Sequence, residues 1–221
     1  MTRPAGNPFA TRQVRPGAVP FFFRDGESAA GLVERLRAAG WWGQLVGPHG
    51  TGKSTLLAAL LPHLRAAGRD PLPVVRHQGE RALPAVVRDN LGRAGRAGRR
   101  LLLVIDGYEQ LSWWTAWRLR CLCRGGGHGL LVTAHAGVGL PELYRTCVSR
   151  EAARRVVAHL TAGAAPTVTD AEVAERLAAR AGNLREALFD LYDLHEQRRL
   201  HVSTAGVISP AQPPSFATPT T

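Results

Sequence analysis

The stretch GPHGTGKST, residues 47–55, constrains the fold more than any other part of the chain. It fits G-x-x-x-x-G-K-[ST] at Gly47, Pro48, His49, Gly50, Thr51, Gly52, Lys53 and Ser54, with Thr55 following. Such a run carries meaning only between a strand and a helix. Both are expected here: WWGQLVG, 41–47, reads as a buried strand, and Lys53 to about Ala67 as a helix. Glycines at that turn let backbone N–H groups curl round phosphate oxygens, and the helix N-terminus adds partial positive charge. Of 28 basic residues only Lys53 is a lysine. Its compact ammonium on a flexible stem suits a point contact with β- and γ-phosphates, where a planar guanidinium would crowd the loop. Ser54 offers a hydroxyl to Mg²⁺.

A second acidic motif agrees with the first. LLLVID, 101–106, is an apolar run ending in Asp106. In a parallel sheet the carboxyl ends of the strands face the ligand, so Asp106 is a candidate for the Mg²⁺ shell. Glu109, three residues on, is a candidate base for orienting an attacking water.

The remaining pattern alternates. Helices are expected over 26–40, 53–67, 81–92 and 109–123, and strands over 41–47, 71–77, 101–106, 129–135 and 144–149. From about residue 149 only helices follow: SREAARRVVAHL, TDAEVAERLAARAG with Thr169 or Asp170 as cap and Gly182 as stop, and NLREALFDLYDLHEQRR begun by Asn183. This order predicts an α/β fold with a parallel sheet flanked by helices and a small C-terminal helical lid. The expected organisation is a partly irregular N-terminal arm over 1–20, an α/β core over 21–149, the lid over 150–200 and a disordered tail over 201–221.

Composition limits the classes. The formal net charge is +11, which makes nucleic acid a candidate partner, although arginine is abundant throughout. The clearest basic run is RAGRAGRR, 93–100. Three cysteines, Cys121, Cys123 and Cys147, form no disulfide framework or metal set and are expected as buried reduced thiols. There is no signal-peptide layout and no apolar run near the roughly 20 residues of a membrane helix, so a cytoplasmic protein without a transmembrane segment is expected. Trp113, Trp114 and Trp117 read as core or subunit packing in preference to a base-stacking platform. His49, His128 and His135 lack metal spacing.

From residue 7 to about 199 the chain resembles the AAA+ P-loop ATPases. Within them, Pro8-Phe9 followed by Phe21–Phe23 resembles the N-terminal approach of ExeA-like secretion ATPases and TniB-like transposition helper ATPases, where this segment packs near the adenine. The resemblance implies a sensor 1 role for Thr133 in LLVTAH, a sensor 2 role for Arg185 in AGNLREAL, and a subunit-bridging arginine finger at Arg145 in LPELYR. One departure is that Gly107 stands where the family usually has Glu directly after the Asp. DGYEQL is closer to the D-G-x-D-E-L pattern of NACHT and other STAND ATPases. No N/T-K-x-D guanine motif is present, which favours ATP over GTP.

The expected activity is therefore ATP binding with Mg²⁺ and ATP hydrolysis, with Lys53, Asp106, Glu109, Thr133, Arg185 and Arg145 as catalytic candidates. ATP binding and hydrolysis would be coupled to assembly on or remodelling of a partner, possible partners being DNA, a protein, or further copies in a homo-oligomer. A slow or non-hydrolysing ATP-gated switch that docks a protein is the alternative. A small-molecule kinase is a third reading, against which the sensor-like motifs count.

Overall fold

The structure, a computed structural model, describes residues 7–162 and 168–205. Five strands form one parallel sheet in the order β2-β3-β4-β1-β5: β1 (Trp42–Val46), β2 (Asp70–Val75), β3 (Leu101–Asp106), β4 (Gly129–Ala134) and β5 (Glu142–Arg145). The expected α/β architecture holds. All five carboxyl ends lie along one edge, so the chain segments that leave them meet there.

The apolar runs of the inner strands serve both faces of the sheet, as parallel strands covered on two sides must. In β3, Leu102 and Val104 point into one cluster with helices α2 (Ala29–Ala38) and α3 (Lys53–Ala66). Leu101, Leu103 and Ile105 point into the opposite cluster, beneath α4 (Ala85–Arg96) and α5 (Trp113–Gly125). The two-residue strand period makes this division. A third cluster joins α6 (Arg150–Thr161), α7 (Asp170–Ala179) and α8 (Leu184–Ala205) to Phe9, Val14, Val19 and Phe22.

Several boundaries differ from the sequence reading. The segment expected as a helix over 109–123 is broken: a 3-10 turn, Tyr108–Gln110, precedes α5, which starts only after Ser112 accepts a hydrogen bond from the Thr115 N–H. The strand expected at 144–149 lies earlier, at Glu142–Arg145. The helix expected at 81–92 begins after Pro84 and runs on to Arg96. Helix α8 continues to Ala205, five residues into the stretch expected as tail, and the rest of that stretch lies outside the described residues, as do residues 1–6 of the arm.

The arm itself holds a single turn of helix, α1 (Thr11–Val14), yet Phe9 is completely buried. Asn7 Nδ2 donates to the Tyr192 carbonyl at 3.0 Å and to Glu196 Oε1 at 2.9 Å on α8. Cys123 alone among the three free cysteines is buried, and burial pushes its thiol up to about 12; Cys121 and Cys147 are exposed, correcting the expectation of buried thiols. Trp113, Trp114 and Trp117 are exposed, which removes the core-packing reading. Among the described residues no helix is long and apolar enough to cross a membrane.

Candidate functional site

The loop after β1 and the ends of β2, β3, β4 and β5 surround a cleft of about 1350 Å³. His49 to Thr55, Asp106, Glu109, Thr133 and Arg185 line it. The sequence motifs scattered over some 140 residues are thus brought to one place. Arg145 is the exception: it lies outside the cleft, at the end of β5, where its guanidinium pairs with Glu142 through Nε–Oε1 at 3.0 Å and Nη2–Oε2 at 2.5 Å.

Lys53 opens α3 and is buried against the loop. Its ammonium donates to the carbonyls of Gly47 at 2.5 Å and Pro48 at 2.7 Å. Burial lowers its proton affinity, and the carboxylates of Glu109 and Asp106 oppose that shift. Two glycines are sterically required. A Cβ on Gly47 would lie 2.1 Å from Thr146 Oγ1, and one on Gly50, at φ +69°, would lie 1.6 Å from Asn183 Oδ1. The second contact docks the start of α8 directly on the loop. Thr51 Oγ1 meets Thr146 Oγ1 at 2.6 Å and the Pro48 carbonyl at 2.8 Å, which fixes the loop to the chain beyond β5.

Opposite the loop, Thr133 Oγ1 donates to Asp106 Oδ1 at 2.6 Å and accepts from the Gly107 N–H at 2.9 Å. It thereby holds the carboxylate and the turn after β3 in one arrangement. Glu109 Oε1 stands 3.3 Å from His135 Nδ1, and the His135 ring packs at 3.6 Å between centroids on His49. Desolvation lowers the His135 pKa from its usual value; Glu109 acts against this, while Lys53 and His49 reinforce it. The two histidines therefore form a contact within the cleft, where the sequence places His49 in the phosphate loop and gives no sign of a partnership with His135. His128 is elsewhere: buried between α4 and β3, it accepts from the Leu101 N–H at 3.2 Å and contacts the Leu91 carbonyl at 2.9 Å.

Sequence reading missed several groups. Thr146, Asn183 and His135 reach the loop region from distant segments. Arg76, just past β2, lines the cleft with a side chain only 8% exposed; it pairs with Glu80 at 3.3 Å, and its Nε has no hydrogen-bond partner. The rule that parallel strands present their carboxyl ends to ligand could have found Arg76. On the other wall, Phe21 and Phe23 pack edge-on at 4.9 Å, and both pack edge-on against Tyr144.

These residues fit a nucleoside triphosphate with Mg²⁺. A buried ammonium, loop amides and a helix N-terminus suit phosphate oxygens. The Ser54 hydroxyl and the Asp106 carboxylate are the hard oxygen donors that Mg²⁺ takes. Among the described residues no group of three or more His, Cys, Asp or Glu could cage a metal.

No protein-family model matches the sequence. No curated protein matches it either. Solved structures do. A Walker-type ATPase of Pyrococcus abyssi superposes with a TM-score of 0.56 at 12% identity, covering 91% of this chain and 77% of its own. A DNA replication initiation factor gives 0.53 at 12% identity, over 84% of this chain and 66% of that one. The replication initiator DnaA gives 0.52 at 13% identity, over 84% and 67%. At such identities the likeness speaks for architecture. The chain shares its α/β fold, a parallel sheet flanked by helices with the phosphate-loop motif after β1, with these ATPase and replication-initiation structures.

Proposed function

We propose that this chain binds ATP with Mg²⁺ in the cleft and hydrolyses it, using the state of the nucleotide to control a partner. What carries the reading is the convergence of the Lys53 loop, the Thr133-held Asp106 and the Asn183–Gly50 contact on one cleft. Lys53 and the loop amides neutralise phosphate charge, and Ser54 and Asp106 would hold Mg²⁺, which would withdraw charge from the phosphate oxygens. Glu109 accepts a proton from the attacking water, and Thr133 keeps Asp106 and the Gly107 turn in position. Phosphoryl transfer needs mainly such positioning and charge stabilisation. Residues 21–149 form the catalytic core and 150–200 the lid. Arg185, on the lid helix that touches Gly50, links lid position to the γ-phosphate.

Arg145 is exposed on the edge strand, where a neighbouring copy in a homo-oligomer would receive it. Pro8-Phe9 and Phe21–Phe23 favour the ExeA-like and TniB-like branch. DNA is the first candidate partner, from the +11 charge and from the similar DnaA structure, which is described as bound to AMPPCP and single-stranded DNA. A second reading, a slow ATP-gated switch acting on a protein, draws on Gly107 in place of a Glu and on Glu109 being engaged by His135.

ATP binding and turnover, with and without duplex DNA at two salt concentrations, test the proposal. Lys53→Ala should abolish binding. Glu109→Gln should keep binding and lower kcat by about 10²–10⁴-fold. Tight binding by the unmodified protein with negligible turnover in every condition selects the switch. Absence of ATP binding overturns both readings.

A further inference from the structure

Helix α5 exposes three of the chain's five tryptophans: Trp113 at 68%, Trp114 at 63% and Trp117 at 52%. Large aromatic side chains so far out of the core mark contact surfaces. Their mutual geometry is edge-to-face, with centroids 4.5 Å apart at 65° for Trp113–Trp114 and 6.1 Å apart at 87° for Trp114–Trp117. The trio is clustered without being stacked on itself.

The rest of that helix face is basic. Helical spacing continues from the tryptophans through Arg118 and Cys121 to Arg124, all exposed, over roughly 16 Å of axis at 1.5 Å per residue. The 13 residues of α5 include no Asp or Glu. Arg120 is drawn inward instead, to Tyr108 Oη at 2.9 Å. At the helix start the Ser112 N–H donates to the Arg81 carbonyl at 3.1 Å, so the backbone of another exposed arginine meets the residue before Trp113. The face thus joins bare indole rings to arginines with no acid on the helix to offset them.

This chemistry selects an occupant. A polyanion whose π-faces are accessible meets both halves of the face at once: bases stack on the indoles and phosphates pair with the arginines. In duplex DNA the base faces are stacked on one another. A protein partner would use the indoles, but would gain from the arginines only through an acidic surface. We propose that the exposed face of α5 is a binding platform for single-stranded DNA. The choice of DNA rests on the partner reading above; the stacking platform does not depend on ATP hydrolysis. Only Gln110, Leu111 and Ser112 separate Glu109 from Trp113, so a strand bound there would sit next to the hydrolytic turn.

Binding of a fluorescein-labelled dT15 oligonucleotide to the full chain, read by anisotropy without nucleotide, is the test. The same-length duplex, U15 and dextran sulfate serve as competitors. Indole fluorescence should be quenched by dT15 and not by dextran sulfate. Trp113→Ala/Trp117→Ala, at exposed positions, should leave thermal melting and ATP binding unchanged. It should weaken dT15 by roughly 5- to 150-fold per lost stack, with the salt slope kept. Arg118→Gln should weaken binding and reduce the salt slope by about one phosphate contact. The platform is overturned if the double variant binds dT15 like the parent, or if duplex or dextran sulfate competes as well as dT15. It is overturned equally if the parent dimerises and the double variant does not, which gives the face to a second copy. Tighter binding of U15 overturns the choice of DNA. None of these results bears on ATP hydrolysis, so the catalytic reading and this one fail separately.

Discussion

Thr133 spends its one hydroxyl on two contacts, donating to Asp106 and accepting from Gly107, in a fully buried setting. Thr133→Val keeps the shape and removes both bonds, leaving a carboxylate oxygen and an amide without their partner. Unfolding free energy should fall by about 1–3 kcal/mol, and MgATP affinity should fall with it. Thr133→Ser should retain both within error. Denaturant melts of the two variants, paired with nucleotide titrations, decide the matter: equal loss in Val and Ser would mean that the methyl packing, and not the hydroxyl, is what counts. The same residue shows what sequence can carry. The loop from Gly47 to Thr55 is legible because its chemistry is local and needs fixed neighbours in the chain. Asp106 is legible because it ends an apolar strand. Thr146 is not: it is bonded to Thr51 across a separation of 95 residues, and nothing in the sequence around it differs from an ordinary strand end. Arg76 and the His49–His135 contact are hidden for the same reason, since only the strand order brings them together.

At the scale of the element, helix starts are well marked when a side chain caps them. Ser28, Ser149 and Thr169 each accept from the backbone N–H of the third helical residue, and those starts are close to the expected ones. The stretch over 109–123 is misread because its apolar spacing runs across a break that only the Ser112 cap reveals. The start of α7 also carries a prediction. Thr169 and Glu172 form a reciprocal capping box, and Glu172 is paired besides with Arg198 on α8. The Arg198 bond, helped by the Thr169 N–H, holds the Glu172 carboxyl down at about 2. Its folded pKa is thus below the unfolded value of 4.5, so the stabilisation is complete above about pH 4.5 and is lost as pH falls toward 2. Glu172→Gln preserves the box and removes the charge. It should cost roughly 0.2–1 kcal/mol at pH 7, as expected for a pair open to solvent, and the gap to the parent should close in acid. Thr169→Ala should cost about 1 kcal/mol with far less pH dependence. Urea melts at pH 7 and pH 3 separate the two; a Gln deficit that is the same at both values would rule out the carboxylate as its source.

Across the whole molecule, three apolar clusters share one sheet and one N-terminal segment. Two clusters are divided by the sheet and are locked together by β3, whose alternate residues belong to each. The third, among the C-terminal helices, is linked differently. Residues 21–23 alternate like a strand, with Phe21 and Phe23 against the core cluster and Phe22 against the helical one. Upstream, Phe9 is inserted among α6, α7 and α8 and lies edge-on at 6.2 Å to His195. The arm expected as partly irregular over 1–20 and the Phe21–Phe23 stretch expected to open the core therefore together stitch the C-terminal helices to the sheet, and their few aromatic residues do so without long regular elements. Phe9→Ala should remove about 3–5 kcal/mol, the usual cost of emptying a buried phenylalanine site. Because the cavity opens in the helical cluster, amide hydrogen exchange should quicken by roughly 10²–10⁴-fold in α6, α7 and α8. Amides of β1, β3 and β4 should keep most of their protection. If protection instead falls by the same factor everywhere, the three clusters unfold as one cooperative unit, and the contact between Asn183 and Gly50 could not act as a joint that opens while the sheet stays folded.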